Sequence, residues 1–139
     1  MAKMPKEVMD AFGDPSCPKV MATVDAVGNV NNTPIGSTTA IDDETLAFAD
    51  LYGVATRTMK NLDATKKVAV TAFKVPLAPP FIAFQVKGTF QGFQASGPLF
   101  DTFAKLLKEA VGLDIKGVGT IKVDEVFNCS PLEPGKKMA

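Results

Sequence analysis

The chain has 139 residues, 46% of them apolar, and fifteen basic side chains balance fifteen acidic ones. That length makes one domain with enough apolar material for its own core, and a zero net charge gives no electrostatic footprint for nucleic acid or an anionic membrane surface. Histidine is absent, which removes Ser-His-Asp and Cys-His nucleophile activation, His-ligated zinc and His-ligated haem.

Cys17 and Cys129 are the only cysteines and form no CxxC, so they read as free buried thiols rather than as a zinc or dithiol site. The opening residues carry Lys3, Lys6, Glu7 and Asp10, and no apolar run approaches the roughly 18 residues of a membrane span. Neither a membrane segment nor a signal peptide is expected, and the cytoplasm is the expected location.

Pro5 to Phe12 places Val8, Met9 and Phe12 on one helical face, with Gly13 and Pro15 as stops. Val20, Ala22, Val24 and Ala26 then alternate with Met21, Thr23 and Asp25, the period-2 pattern of a strand, before a turn at Gly28-Asn29. Val30 to Ile41 is polar but β-branched and reads as one extended strand, irregular or at a sheet edge around Pro34, which has no N–H for a ladder. Thr45 to Leu51 is a third strand. Ala55 to Leu62 is a short helix with Thr56 as N-cap.

Lys67 to Phe73, apolar on both faces, reads as a central strand. Phe81 to Phe93 is a long strand with a bulge or bend at Gly88. Pro98 opens a long helix expected to pack on the core through Leu99, Phe103, Leu106 and Ala110, flanked by Phe100, Leu107 and Val111. Gly119 to Phe127 is the last strand, and the Pro/Gly/Lys tail after it is expected to be loosely ordered. Six short strands without βαβ alternation predict a mainly β (α+β) domain, an antiparallel barrel with peripheral helices.

Chemistry concentrates between Asp50 and Leu62. A helix start gathers unpaired N–H groups and the positive end of the dipole, and here Thr56, Arg57, Thr58 and Lys60 add hydroxyls and cations. Those groups suit a phosphate dianion, and a forked guanidinium suits it better than an ammonium does. An ordinary capped surface helix has the same residues, so the triplet Thr56-Arg57-Thr58 alone does not decide. What adds weight is that Arg57 is the single arginine, against fourteen lysines.

Taken in order, Asn32-Thr33-Pro34-Ile35, Phe48-Ala49-Asp50, Arg57-Thr58, Asn61-Leu62 and Gln85-Val86-Lys87-Gly88 resemble the FMN-binding split-barrel family that includes pyridoxamine 5′-phosphate oxidase. The resemblance covers about Val20 to Phe93 and implies a six-stranded antiparallel split β-barrel. It implies that Arg57 and Thr58 grip the phosphate of FMN with help from Thr56 and Lys60, and that Asn61 orients the helix start or a ribityl hydroxyl. The flavin ring would lie along Asn32, Thr33, Pro34 and Ile35. Gln85 and Lys87 would reach a flavin held mainly by the partner of a homodimer, with cofactor at the interface. As plain surface residues, Asn32 and Thr33 read equally as edge-strand polars, Asn61 as a solvent-facing helix residue, and Gln85 and Lys87 as the wet face of a strand. Asp50 receives no role.

A flavin-dependent oxidoreductase or electron-transfer protein needs no histidine, metal or reactive thiol, since the cofactor carries the chemistry. Authentic pyridoxamine phosphate oxidation is not expected, because that substrate needs a second phosphate site and Arg57 is already committed. A flavin-storing or purely dimeric binding module is the alternative. Nucleic acid is not an expected partner, since the phenylalanines sit at core-like positions and the lysines are scattered.

Overall fold

The computed structural model describes residues 2–53 and 56–139. Helix α1 (Lys6–Gly13) buries Val8, Ala11 and Phe12, and the alternation that follows becomes β1 (Lys19–Val24), with Lys19, Met21 and Thr23 inward and Val20, Ala22 and Val24 half-exposed outward. The polar stretch expected as one strand is two: β2 (Val30–Pro34) and β3 (Thr39–Asp42). Between them a turn closes where Thr38 donates to the Ile35 carbonyl through both its amide, at 3.2 Å, and its hydroxyl, at 2.9 Å. A Pro followed by Gly36 and Ser37 breaks the ladder, and a Thr hydroxyl supplies the local alternative.

After β4 (Thr45–Asp50) comes α2 (Arg57–Thr65), capped by Thr56 as its sequence predicts; Ala55, placed in this helix by the sequence, lies outside the described residues. Strand β5 (Lys67–Phe73) and the long β6 (Ala83–Gln94) lead to α3 (Pro98–Val111), the long β7 (Gly117–Asn128) and a short β8 (Lys136–Lys137). All pairings are antiparallel, in the order β2-β1-β5-β6-β7-β4-β3, with β8 added to β7. The split-barrel class holds with eight strands instead of six.

Strands β6 and β7 join the two halves of the sheet, and their register slips between Lys87 and Gly88 and again between Phe90 and Gly92. At Gly88 a Cβ would run into the Lys122 carbonyl and the Ile121 side chain, so only glycine lets the two strands close there. Gly92 has a φ of 116°, which a side chain would make costly. These two slips turn the sheet around one core of α1, α2 and inward strand residues, among them Phe12, Met21, Phe48, Leu62, Val70 and Val126.

Three further expectations fail. The tail is not loose: Met138 donates to the Val126 carbonyl at 2.7 Å, and Met138 and Ala139 pack on the core, because β7 runs past the end of β4 and leaves a free edge there. Helix α3 is only half docked. It packs through Phe103, with Leu99, Phe100, Ala104 and Leu107 partly covered, while Leu106, Ala110 and Val111 are exposed. The apolar stripe is wider than the strip of β4 and β7 available to cover it. Cys17 is buried as expected, whereas Cys129 is only half-buried, and both thiols are free.

Candidate functional site

Helix α2 lies on the inner side of β1 and β2, held by three polar contacts. The Asn31 amide donates to the Thr58 hydroxyl at 3.0 Å, the Asn61 amide donates to the Thr23 hydroxyl at 3.1 Å, and the Thr65 hydroxyl donates to the Val24 carbonyl at 2.9 Å. Met59 and Leu62 supply the apolar anchor. At the helix start the Thr56 hydroxyl accepts from the Met59 amide at 3.3 Å, and the Lys60 amide donates to the Thr56 carbonyl at 3.1 Å. The amides of Arg57 and Thr58 therefore stand outside the intrahelical ladder. The Arg57 and Lys60 side chains are exposed, Thr56 is half-buried, and Thr58 and Asn61 are buried.

Strand β2 is an edge, and its register decides which groups face the open side. Ile35 donates to the Lys19 carbonyl at 3.0 Å and Asp25 donates to the Asn29 carbonyl at 2.9 Å, so the bonded pairs fall on odd-numbered residues of the strand. The main-chain groups of Val30, Asn32 and Pro34 point to the free edge. There Asn32 offers an N–H and a C=O, while the N–H that Pro34 lacks costs no ladder bond. Thr33 points inward with Asn31, Asn32 and Pro34 point outward, and Ile35 sits just past the strand, packed against the core.

On the outer face a groove of about 480 Å³ runs over β1 and β5 between Asn32 on one side and Gln85 on the other, with Val20, Ala22, Thr71 and Phe73 along its floor. The pairing explains the alignment. Asn32, Ala22, Ala69 and Lys87 form one cross-strand row, and Pro34, Val20, Thr71 and Gln85 form the next. Three strand spacings separate the ends of each row, about 14 Å. Lys87 stands with its ammonium 5.2 Å from the centre of the Phe127 ring.

The structure thus brings Asn32, Pro34, Gln85 and Lys87 to one face and Thr56, Arg57, Thr58, Lys60 and Asn61 to one helix on the other side of β2. The link between the two groups is Asn31, which lines the groove and also binds Thr58. Sequence reasoning passed over Asn31 and Thr23. Strand alternation held a signal for both: adjacent Asn31 and Asn32 must face opposite ways, so one of them faces α2.

This donor set fits an FMN-like molecule. A phosphate at the start of α2 meets two amides, a guanidinium and an ammonium, and a planar heterocycle along the edge of β2 meets alternating main-chain donors and acceptors. Because β2 is an edge strand, one molecule can touch both places without crossing the sheet. Among the described residues no cluster of His, Cys, Asp and Glu has the makings of a metal site.

Two other features of the inner face bear on stability. Lys19 is buried, its ammonium donating to the Asp14 carbonyl at 2.9 Å, and burial pushes its pKa below the ordinary 10.5. Burial pushes the Cys17 thiol up. No helix among the described residues is long and apolar enough to cross a membrane.

Comparison with known proteins places this geometry. No curated protein matches the chain. Among solved structures, HupZ of Group A Streptococcus superposes with a TM-score of 0.78 at 23% identity, covering 98% of this chain and 99% of its own. An FMN-binding protein of Syntrophomonas wolfei gives a TM-score of 0.73 at 20% identity, with 88% and 86% coverage. The heme storage protein HutZ of Vibrio cholerae gives 0.59 at 13%, with 91% and 94% coverage. The sequence model of pyridoxamine 5′-phosphate oxidase matches residues 6–129. With nearly the whole domain inside that match, the chain belongs to the pyridoxamine 5′-phosphate oxidase family.

Proposed function

We propose that the protein binds FMN and works as a flavin-dependent oxidoreductase or electron-transfer protein in the cytoplasm. The observation that carries this is the Asn31–Thr58 hydrogen bond, which fixes the cationic start of α2 against the free edge of β2. Arg57, Thr56, Lys60 and the first amides of α2 hold the phosphate. Thr58 contributes its amide, its hydroxyl being engaged by Asn31, and Asn61 holds the helix to β1 through Thr23. Asn32, Thr33, Pro34 and Ile35 border the ring, with the edge groups of Asn32 pairing to its polar rim. When bound, the flavin supplies the redox chemistry, and the chain supplies orientation and exclusion of water.

The outer face supports a homodimer with flavin at the interface. Strand β5 is apolar on both faces, yet Ala69, Thr71 and Phe73 remain only half-covered, as do Val20, Ala22 and Phe127. A second copy laid on this face covers them and brings its own Gln85 and Lys87 toward the flavin of the first. Pyridoxamine phosphate itself is not the proposed substrate, since the one arginine is taken by the cofactor.

The visible spectrum of the purified protein, followed by FMN titration of the apoprotein, tests the reading. Flavin bands, or tight uptake of added FMN, are the expected result. A colourless protein that takes up no FMN, or a Soret band in place of flavin bands, overturns it. Flavin uptake without turnover of any reductant assigns the chain to flavin storage instead of catalysis.

A further inference from the structure

Helix α3 ends in a stretch that the described residues leave uncovered. Its first part docks through Leu99, Phe100, Phe103, Ala104 and Leu107, but from Lys108 to Asp114 every residue is exposed. Leu106 is 53% exposed and Val111 56%, and Leu113, just past the Gly112 that ends the helix, is 45% exposed. Helices α1 and α2 expose no large apolar side chain. Leu106, Leu107, Ala110 and Val111 recur at i, i+1, i+4 and i+5, so the overhanging turns carry one apolar face. A contiguous patch of this kind marks a contact with another molecule, whereas apolar residues exposed singly are ordinary surface.

The charges beside this face complement a second copy of the same helix. Lys105 and Glu109 stand one turn apart along its Leu106 side, both exposed, and among the described residues neither forms an ion pair. Lys108, on the opposite side, is already taken by Asp114 at 3.3 Å. Two copies of α3 running antiparallel about a two-fold axis beside Leu107 bring Lys105 of each opposite Glu109 of the other, and lay the two apolar faces together. A parallel pair in register sets Lys105 beside Lys105 and Glu109 beside Glu109, which repel. The helix packs on β4 and β7, whereas the flavin groove lies over β1 and β5, so a contact through α3 uses different strands from the outer-face dimer.

We propose that the open end of α3 is an interface with a second copy of this chain, an antiparallel helix pair held by Leu106, Leu107, Ala110 and Val111 and by two Lys105–Glu109 ion pairs. The contact is independent of the flavin reading. Combined with the outer-face dimer, it makes a tetramer.

Sedimentation velocity of the full chain at micromolar concentration, parent against Leu106→Glu, tests it. The substitution is on an exposed residue and is expected to leave the urea midpoint unchanged while halving the assembly, from tetramer to dimer. A parent dimer that Leu106→Glu turns into a monomer keeps the α3 pair and removes the outer-face dimer instead. Equal mass for parent and Leu106→Glu, whether both are monomers or both dimers, overturns the proposal and leaves the face to an unlike partner. The charges give a second measurement. Lys105→Glu is expected to weaken the association about tenfold, and adding Glu109→Lys in the same chain is expected to restore it to within about twofold of the parent. A double variant that associates no more tightly than Lys105→Glu alone overturns the antiparallel pairing.

Discussion

The two faces of β1 and β2 use the same kinds of side chain in opposite ways. Inward, Thr23, Asn31, Thr58, Asn61 and Thr65 are bound to one another or to main chain, and α2 is locked in place by them. Outward, no side-chain hydrogen bond among the described residues engages Asn32, Thr71 or Gln85, although these line the groove. A buried polar group must be paired or it costs stability, whereas a polar group facing a groove can wait for a ligand. The inner set therefore specifies the fold and the outer set is free for binding, and substitutions on the two sides should separate cleanly.

The largest effect belongs to the inner apolar anchor. Leu62→Ala leaves a cavity under α2 and is expected to cost about 2–5 kcal/mol in urea unfolding. A loss well under about 1 kcal/mol would mean that α2 is not docked as described. Next comes Arg57→Ala, on an exposed side chain. It is expected to weaken FMN binding roughly ten- to a hundred-fold, equivalent to about 1.5–3 kcal/mol, with unfolding and riboflavin affinity unchanged. Equal loss for FMN and riboflavin would show that the guanidinium does not meet the phosphate.

Asn61→Ala removes the donor to Thr23 and is expected to destabilise by about 1–3 kcal/mol, the reverse of Arg57→Ala in which property moves. On the outer face Asn32→Ala is expected to change stability by less than about 0.5 kcal/mol while weakening FMN severalfold. If Asn32→Ala destabilises as much as Asn61→Ala, the contrast between the faces fails.

The smallest effect is a pH slope at Lys19, the one charged side chain of β1. Its pKa is lowered by burial, so the folded state holds this proton less tightly than the unfolded state does. The penalty is present at neutral pH and is relieved as pH climbs toward 10.5, so this residue makes stability rise with pH in that window. Cys17, its pKa raised, works in the opposite direction as pH passes through the thiol range. The difference between the parent and Lys19→Met isolates the lysine, and identical pH profiles for the two would remove its proposed burial cost.

Much of the local structure was legible. Period-2 alternation placed β1, composition placed β5 in the centre of the sheet, Gly88 marked a register slip, and Thr56 marked the start of α2. These signals come from backbone geometry and neighbours within a few residues. The sequence also singled out Arg57, because one arginine among lysines stands out without any structure. It did not reveal the break between β2 and β3, the docked tail or the open half of α3. The last two depend on how far β4 and β7 extend beside them, a quantity no local pattern carries.

Composition and chain order determined the fold class and a cofactor-dependent reading without histidine. Only the tertiary structure decided which polar residues belong to the fold and which face an open groove. Asn31 and Asn32 are identical neighbours in sequence, and strand alternation makes them differ. The pairing of β2 with β1 then says which of the two side chains meets α2 and which points to the outer face.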